Sequence, residues 1–244
     1  MLKAAIEKIE AMSHKPQLVE CDGHHYWSDR EGNLSEIVPE QPRPEQITLN
    51  SLAALATFVQ EEALKILPRV YITVPNHLTA ECFGGPEEAL RYERCCMYTA
   101  KATDVPGWEP KVQLPFEEAI VALRTRFQAA QDSEYALRLL SNITTGGKIT
   151  FNDNGVATSI ITKKGIDLQG NEAIKPIIRL RPYRTFQEIE QPEGLFLIRV
   201  SERAITFIEA DGGMWKLEAR KSIYAFLAEA LAKEISDGTV VLTM

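Results

Sequence analysis

The chain has 244 residues, 45% of them hydrophobic and 25% charged, with a formal net charge of -7. Such a composition buries an ordinary core without disulfides or a structural metal, and the acidic balance excludes a protein that coats phosphates over its whole surface. No run approaches the ~18 apolar residues that cross a bilayer. Residues 1–8 are amphipathic and carry acids, unlike a signal peptide, so a chain retained in the cytoplasm is expected.

Leu2, Ile6, Ile9 and Met12 share a helical face and predict a short amphipathic helix over residues 2–12. Asp22-Gly23 predicts a tight turn between two extended runs within Leu18 to Trp27. The prolines at 39, 42 and 44 mark a linker, which divides the chain into an N-terminal part, 1–45, and a main domain, 46–244. Asn50 or Ser51 caps a helix reaching Ile66, with Leu52, Leu55, Phe58 and Val59 on its apolar face. Val70 to Val74 is β-branched and aromatic, hence a strand. Leu78 to Phe83 returns antiparallel after Pro75-Asn76, and residues 91–101 form another strand.

Pro106-Gly107 and Pro110 mark a second loop. Pro115 fits the first turn of a helix through Phe127, and Asp132 caps the next helix. From Gly146 onward the pattern is β, with Asn154-Gly155 at a hairpin turn and strands over 177–186, 195–200 and 204–209. Asp211-Gly212-Gly213 ends the last of these and starts a helix through about Ile235, followed by a short strand at 240–242. Helices and strands mix without strict β-α alternation. The expected class is therefore α+β, with a mixed, largely antiparallel sheet in the C-terminal half and packed amphipathic helices.

No catalytic motif stands out. Cys21, Cys82, Cys95 and Cys96 lack paired CxxC spacing, and Cys21, His24 and His25 flank a turn with no second ligand pair following, so neither a metal nor another cofactor is expected. The four thiols read as reduced, mostly packed side chains. The paired acids Glu61-Glu62, Glu87-Glu88 and Glu117-Glu118 point about 100° apart on a helix and do not converge on one bond. The glycines of Asp211-Gly212-Gly213 read as a strand-to-helix passage rather than a phosphate loop.

One constellation suits ligand contact. In an extended run, Ile178, Leu180 and Phe186 share one face while Arg179, Arg181 and Tyr183 share the other, with Arg184 following. Two guanidinium groups beside an aromatic ring fit phosphate and base contacts. The structural alternative is a salt-bridged sheet surface with Glu188, Glu190 or Glu209 as partners. Pro182 points to an edge strand or bulge, a place for subunit contact.

The stretches Arg181-Pro182-Tyr183-Arg184-Thr185-Phe186, Glu190-Gln191-Pro192-Glu193 and Glu209 to Ala219 resemble the YfdQ-like family of bacteriophage and prophage proteins. The resemblance implies a phage or prophage product in a bacterial cytoplasm and implies no reaction. The expected function is therefore a non-enzymatic accessory protein that self-associates and binds or sequesters a ligand or host factor, such as a nucleotide signal of host defence. The alternatives are a subunit of a symmetric particle or shell, and an accessory protein in phage DNA replication or recombination, which the net charge disfavours. A hydrolase would need convergent acids or a metal, which no spacing specifies.

Overall fold

The computed structural model describes residues 2–13, 17–29, 31–37, 45–86, 94–145, 149–153, 158–162, 171–173, 175–201 and 203–244. The chain divides into two units, Met1–Arg43 and Pro44–Met244. In the first, helix α1 (Leu2–Ser13) precedes an antiparallel sheet of β1 (Gln17–Cys21), β2 (His24–Ser28) and β3 (Leu34–Ile37). Asp22 and Gly23 both take positive φ, 51° and 81°, which is why Asp-Gly closes this hairpin. The prolines of the expected linker lie outside the described residues.

The second unit carries two five-stranded sheets, each with its own core. It opens with β4 (Ile47–Leu49), α2 (Leu52–Phe58) and α3 (Leu64–Ile66), then β5 (Val70–Asn76), β6 (Thr79–Phe83) and β7 (Cys96–Lys101). Next come β8 (Lys111–Pro115), α4 (Phe116–Thr125), β9 (Phe127–Gln128) and α5 (Ser133–Thr145). Strands β10 (Ile149–Asp153), β11 (Thr158–Thr162) and β12 (Asn171–Ala173) form a separate antiparallel sheet. The chain closes with β13 (Ile177–Pro182), β14 (Gly194–Val200), β15 (Ala204–Glu209), α6 (Trp215–Ala230), α7 (Ala232–Ser236) and β16 (Val240–Thr243).

The first five-stranded sheet has the order β16-β5-β6-β7-β4 and is mixed, because β16 runs parallel to β5 and β4 parallel to β7. Helices α2 and α6 pack on it, joining Leu52, Leu55 and Val59 to Ile72, Val74, Tyr98, Ile223, Leu227 and Leu231 in one core. The second sheet, β8-β15-β14-β13-β9, is antiparallel throughout. Its core joins Leu123 of α4 and Leu140 of α5 to Ile178, Leu180, Phe196, Ile198, Ile205 and Phe207. The fold is thus α+β, with mostly antiparallel pairing. Among the described residues no helix is long and apolar enough to cross a membrane.

Several local expectations change. The helix after Ser51 is capped as expected, since Ser51 Oγ accepts from the Ala54 amide at 3.0 Å. It widens into a π-helical turn over Val59–Ala63 before α3, a feature with no propensity signature. Pro115 ends strand β8 and occupies the position before α4, and Phe127 lies in β9 rather than on the helix. Asp132 does not cap α5 with its carboxylate. That group accepts from the Arg179 amide at 2.9 Å and Lys175 Nζ at 3.1 Å, tying the helix start to β13. Phe186 does not join Ile178 and Leu180, because β13 ends at Pro182 and Phe186 crosses into the other core. Residues 91–93 of the expected strand and the Asn154-Gly155 turn lie outside the described residues; β7 begins at Cys96, and β10 and β11 pair Asp153 with Thr158.

Candidate functional site

A cleft of about 330 Å³ opens in the second unit, lined by segments from both five-stranded sheets. His77 and Leu78 come from the β5–β6 turn, Trp108 and Pro110 from the loop before β8, and Arg184 from the connection after β13. Glu209 ends β15, and Trp215 and Lys216 begin α6. Ligand sites concentrate at such junctions, where rigid elements present loop side chains into one concavity.

Hydrogen bonds between the segments hold the walls. Asn76 Oδ1 accepts from the Leu78 amide at 2.8 Å, which shapes the β5–β6 turn. The Ala102 amide donates to the Leu78 carbonyl at 3.0 Å, and the Glu209 amide to the Pro110 carbonyl at 2.7 Å. Thr185 Oγ1 donates to the His77 carbonyl at 2.5 Å. The connection after β13 is organised by the buried amide of Gln191. Its Oε1 accepts from the amides of Arg184 and Thr185 at 2.9 and 3.3 Å, and its Nε2 donates to the carbonyls of Phe186 and Ile189 at 2.8 and 3.3 Å.

Asp211-Gly212-Gly213 brings Glu209 and Trp215 together. Gly212 and Gly213 take φ of 64° and 81°, conformations that only glycine adopts readily in succession. Asp211 Oδ1 accepts from the Gly213 amide at 2.9 Å. The turn thus supplies its own acceptor for that amide, and its glycines serve the passage from strand to helix.

Arg184 is the central side chain. It is 3% exposed, and its Nη1 donates to Glu209 Oε1 at 2.5 Å. The guanidinium carbon lies 3.9 Å from the Trp215 ring centroid and 5.6 Å from that of Phe196. Trp215 Nε1 donates to the other Glu209 oxygen at 3.4 Å, so both oxygens of this carboxylate are engaged. Burial lowers the Arg184 pKa to about 10 against the opposing pull of Glu209 and Asp211, which still leaves a cation at neutral pH. Its Nε and Nη2 are buried and have no hydrogen-bond partner. Gly194 makes this placement feasible: a Cβ there would lie 2.5 Å from Arg184 Nη2 and 3.1 Å from the Phe196 ring.

Trp108 faces the same cleft. Its ring meets Phe127 and Phe207 edge-on, with centroids 4.7 and 5.8 Å away, and its Nε1–H is buried without a partner. His77 stands edge-on to Trp215 at 4.7 Å. Burial, with Lys216 and then Arg184 adding repulsion, holds the His77 pKa below its ordinary value, so the imidazole is neutral at pH 7. The cleft is therefore lined by two cationic side chains, an imidazole and two indoles beside apolar Leu78, Ala102, Val105 and Pro110.

The structure splits the arginine set singled out from sequence. Arg179 and Arg181 do share one face of β13, opposite the buried Ile178 and Leu180. Arg181 is paired to Glu190 and lies 3.8 Å from Glu193, while Arg179 reaches Glu193 at 3.5 Å. Tyr183 follows the end of the strand and is half-buried, its amide donating to the Arg126 carbonyl at 2.9 Å. Only Arg184 enters the cleft. The salt-bridged surface thus describes Arg179 and Arg181, with Glu193 as the partner not anticipated. Glu209 serves Arg184, and Glu188 caps α2 by accepting from the amides of Leu52 and Ala53 at 2.7 and 2.9 Å.

Elsewhere the chemistry is subdued. Cys21, Cys82, Cys95 and Cys96 are free thiols; burial pushes that of Cys82 up to about 12 and raises that of Cys96, the reverse of nucleophile activation. Cys21 pairs with His24 across the hairpin, and His24 Nδ1 lies 2.8 Å from Glu36. Among the described residues no group of three or more His, Cys, Asp or Glu side chains could hold a metal ion.

Sequence reasoning missed His77, Trp108, Trp215 and Lys216 as members of a site. The available signal was a tryptophan inside a Pro/Gly loop and another directly after the double glycine, since large aromatics at loop ends favour ligand contact. Their convergence depends on long-range pairing that no local pattern encodes. In comparisons with protein-family models, curated proteins and solved structures, nothing matches this chain.

Proposed function

We propose that this chain is a non-enzymatic ligand-binding protein of phage or prophage origin, acting in the bacterial cytoplasm as a homo-oligomer, and that it sequesters a small anionic molecule in the cleft around Arg184. A nucleotide signal of host defence is one such molecule. The reading is carried by Arg184: a charged guanidinium, almost wholly buried, lines an open cleft beside Lys216. An anion held in the cleft would lie beside two fixed positive charges in a partly desolvated site, where attraction is stronger than in bulk water. Lys216 and the neutral His77 line the same cleft. Arg179 and Arg181 are ion-paired with Glu193 and Glu190, which favours this reading over a role with DNA.

Isothermal titration against a panel of nucleotides, sugar phosphates and their uncharged counterparts tests the proposal. Anionic members should bind, Arg184→Met should abolish the heat, and Arg181→Ala should leave it unchanged. Heat that is absent throughout the panel, or that Arg181→Ala removes, sinks it.

A further inference from the structure

The first unit leaves its apolar side chains uncovered. None of its described residues is buried. On α1, Leu2, Ile6 and Ile9 share one face and are 79%, 50% and 65% exposed. On the sheet, Leu18 and Trp27 stand directly opposite each other across β1 and β2, Ile37 of β3 lies on the same face, and all three are exposed. A helix of 12 residues is marginal in water and owes its stability to packing of its apolar face. Units of about 40 residues without a core of their own gain stability from disulfides, metals or association. The single cysteine here, Cys21, is a free thiol. Resting on the self-association proposed above, and independent of the cleft, we infer that the first unit is a dimerisation module in which α1 pairs antiparallel with α1 of a second copy.

The residue pattern of α1 favours that arrangement. Steps of four and three residues, from Leu2 to Ile6 to Ile9, trace the seam of a two-stranded coiled coil. Antiparallel pairing about a two-fold axis, with Ile6 opposite Ile9 of the second copy, lets the seam meet itself. Lys3 follows Leu2 and Glu10 follows Ile9, so both flank the seam on one side. In this register Lys3 of one copy lies beside Glu10 of the other, twice by symmetry. Within a single helix these two cannot meet, because side chains three or four residues apart interact and these are seven apart. A parallel pair would instead set Glu10 against Ala5 of the second copy and leave the charge unmatched. A lipid surface suits α1 less well. Helices that lie on membranes carry a basic polar face, whereas Lys3 and Lys8 of α1 are balanced by Glu7 and Glu10.

Sedimentation of the full chain over about 1–100 μM tests the pairing. The parent should sediment as two or more chains. Ile6→Glu, at a position exposed in the single chain, should shift association to concentrations at least about tenfold higher. Lys3→Glu and Glu10→Lys should each weaken association about tenfold, because each sets like charges together at both symmetric contacts. Combining the two reversals in one chain should restore the parent's association. An equimolar mixture of the two single variants should associate more tightly than either alone, a result that no contact within one copy produces.

Association that persists unchanged through Ile6→Glu overturns the inference and leaves self-association standing. Charge reversals rescued neither by the double variant nor by the mixture overturn the antiparallel pairing. A parent that stays monomeric up to about 100 μM removes self-association and the inference together. In that event, a melting temperature lowered by Ile6→Glu assigns the α1 face to the second unit of the same chain. Binding to phosphatidylcholine–phosphatidylglycerol vesicles that Ile6→Glu abolishes assigns it to a lipid surface.

Discussion

At the scale of single residues, the cleft is organised by one carboxylate that accepts from two side chains. Glu209 balances the Arg184 cation and holds the Trp215 indole against it. Glu209→Gln removes the carboxylate bonded to the buried guanidinium, leaving Asp211 as the remaining nearby acid, and should destabilise the fold by about 3 kcal/mol in urea titration. Combining it with Arg184→Met should cost less than the two single losses added together, because each removes the same pair. His77 yields a prediction with a sign. Its folded pKa is lowered below 6.5, first by burial and then by Lys216 and Arg184, with Glu209 the facing acid in the cleft. Between the folded value and 6.5 the unfolded chain binds the extra proton, so stability rises with pH there and falls as the solution is acidified through that window. His77→Gln should flatten the dependence of melting temperature on pH between about pH 5 and 7.

At the scale of elements, periodicity and cap chemistry made most helices and strands legible. Ser51 caps α2, Asp22-Gly23 turns the first hairpin, and β13 alternates buried and exposed residues as read. The misses share a cause: a side chain taken by a distant partner. Asp132 has the composition of an N-cap, yet its carboxylate is committed to Arg179 and Lys175, more than 40 residues away. The lowered pKa of Asp132, caused first by the Arg179 amide bond, adds stability above pH 3.8 that is lost as pH falls through the folded value. Asp132→Asn should remove that acid-sensitive component and cost about 1–2 kcal/mol at neutral pH, measured by urea titration at neutral pH and again at about pH 3. Glu188 reads as a surface acid and instead caps α2 from the β13–β14 connection. Glu188→Ala should cost about 1 kcal/mol and speed amide exchange at Leu52 and Ala53. Gln191, with four bonds to its own connection, is the strongest tie; Gln191→Ala should cost about 1–3 kcal/mol and weaken ligand binding by releasing Arg184.

At the scale of the molecule, the α+β class followed from the order of elements, but the division of the second unit into two sheets and two cores did not. That division depends on β16 returning beside β5 and on Phe186 crossing between cores, contacts separated by long stretches of chain. The cleft lies between those sheets, so its partial legibility has the same origin. Arg184 stood out as a basic residue beside aromatics, whereas His77 and Trp108 needed the tertiary fold to reach it. Self-association is an expectation at this scale. Native mass spectrometry should give the mass of two or more chains, and any bound anion should be lost with Arg184→Met; a monomer at micromolar concentration rejects the assembly.

Gly194 has a further use. A Cβ at that spot would lie 2.5 Å from Arg184 Nη2, so the guanidinium must move to admit one. The methyl group introduced by Gly194→Ala would therefore misalign the cleft by addition, with every lining group still present and the net charge unchanged. A Gly194→Ala chain that stays folded would be a matched inert twin for work in cells. Any effect that it shares with the parent would arise from surface or assembly, and any effect that it lacks would trace to the seat of one guanidinium.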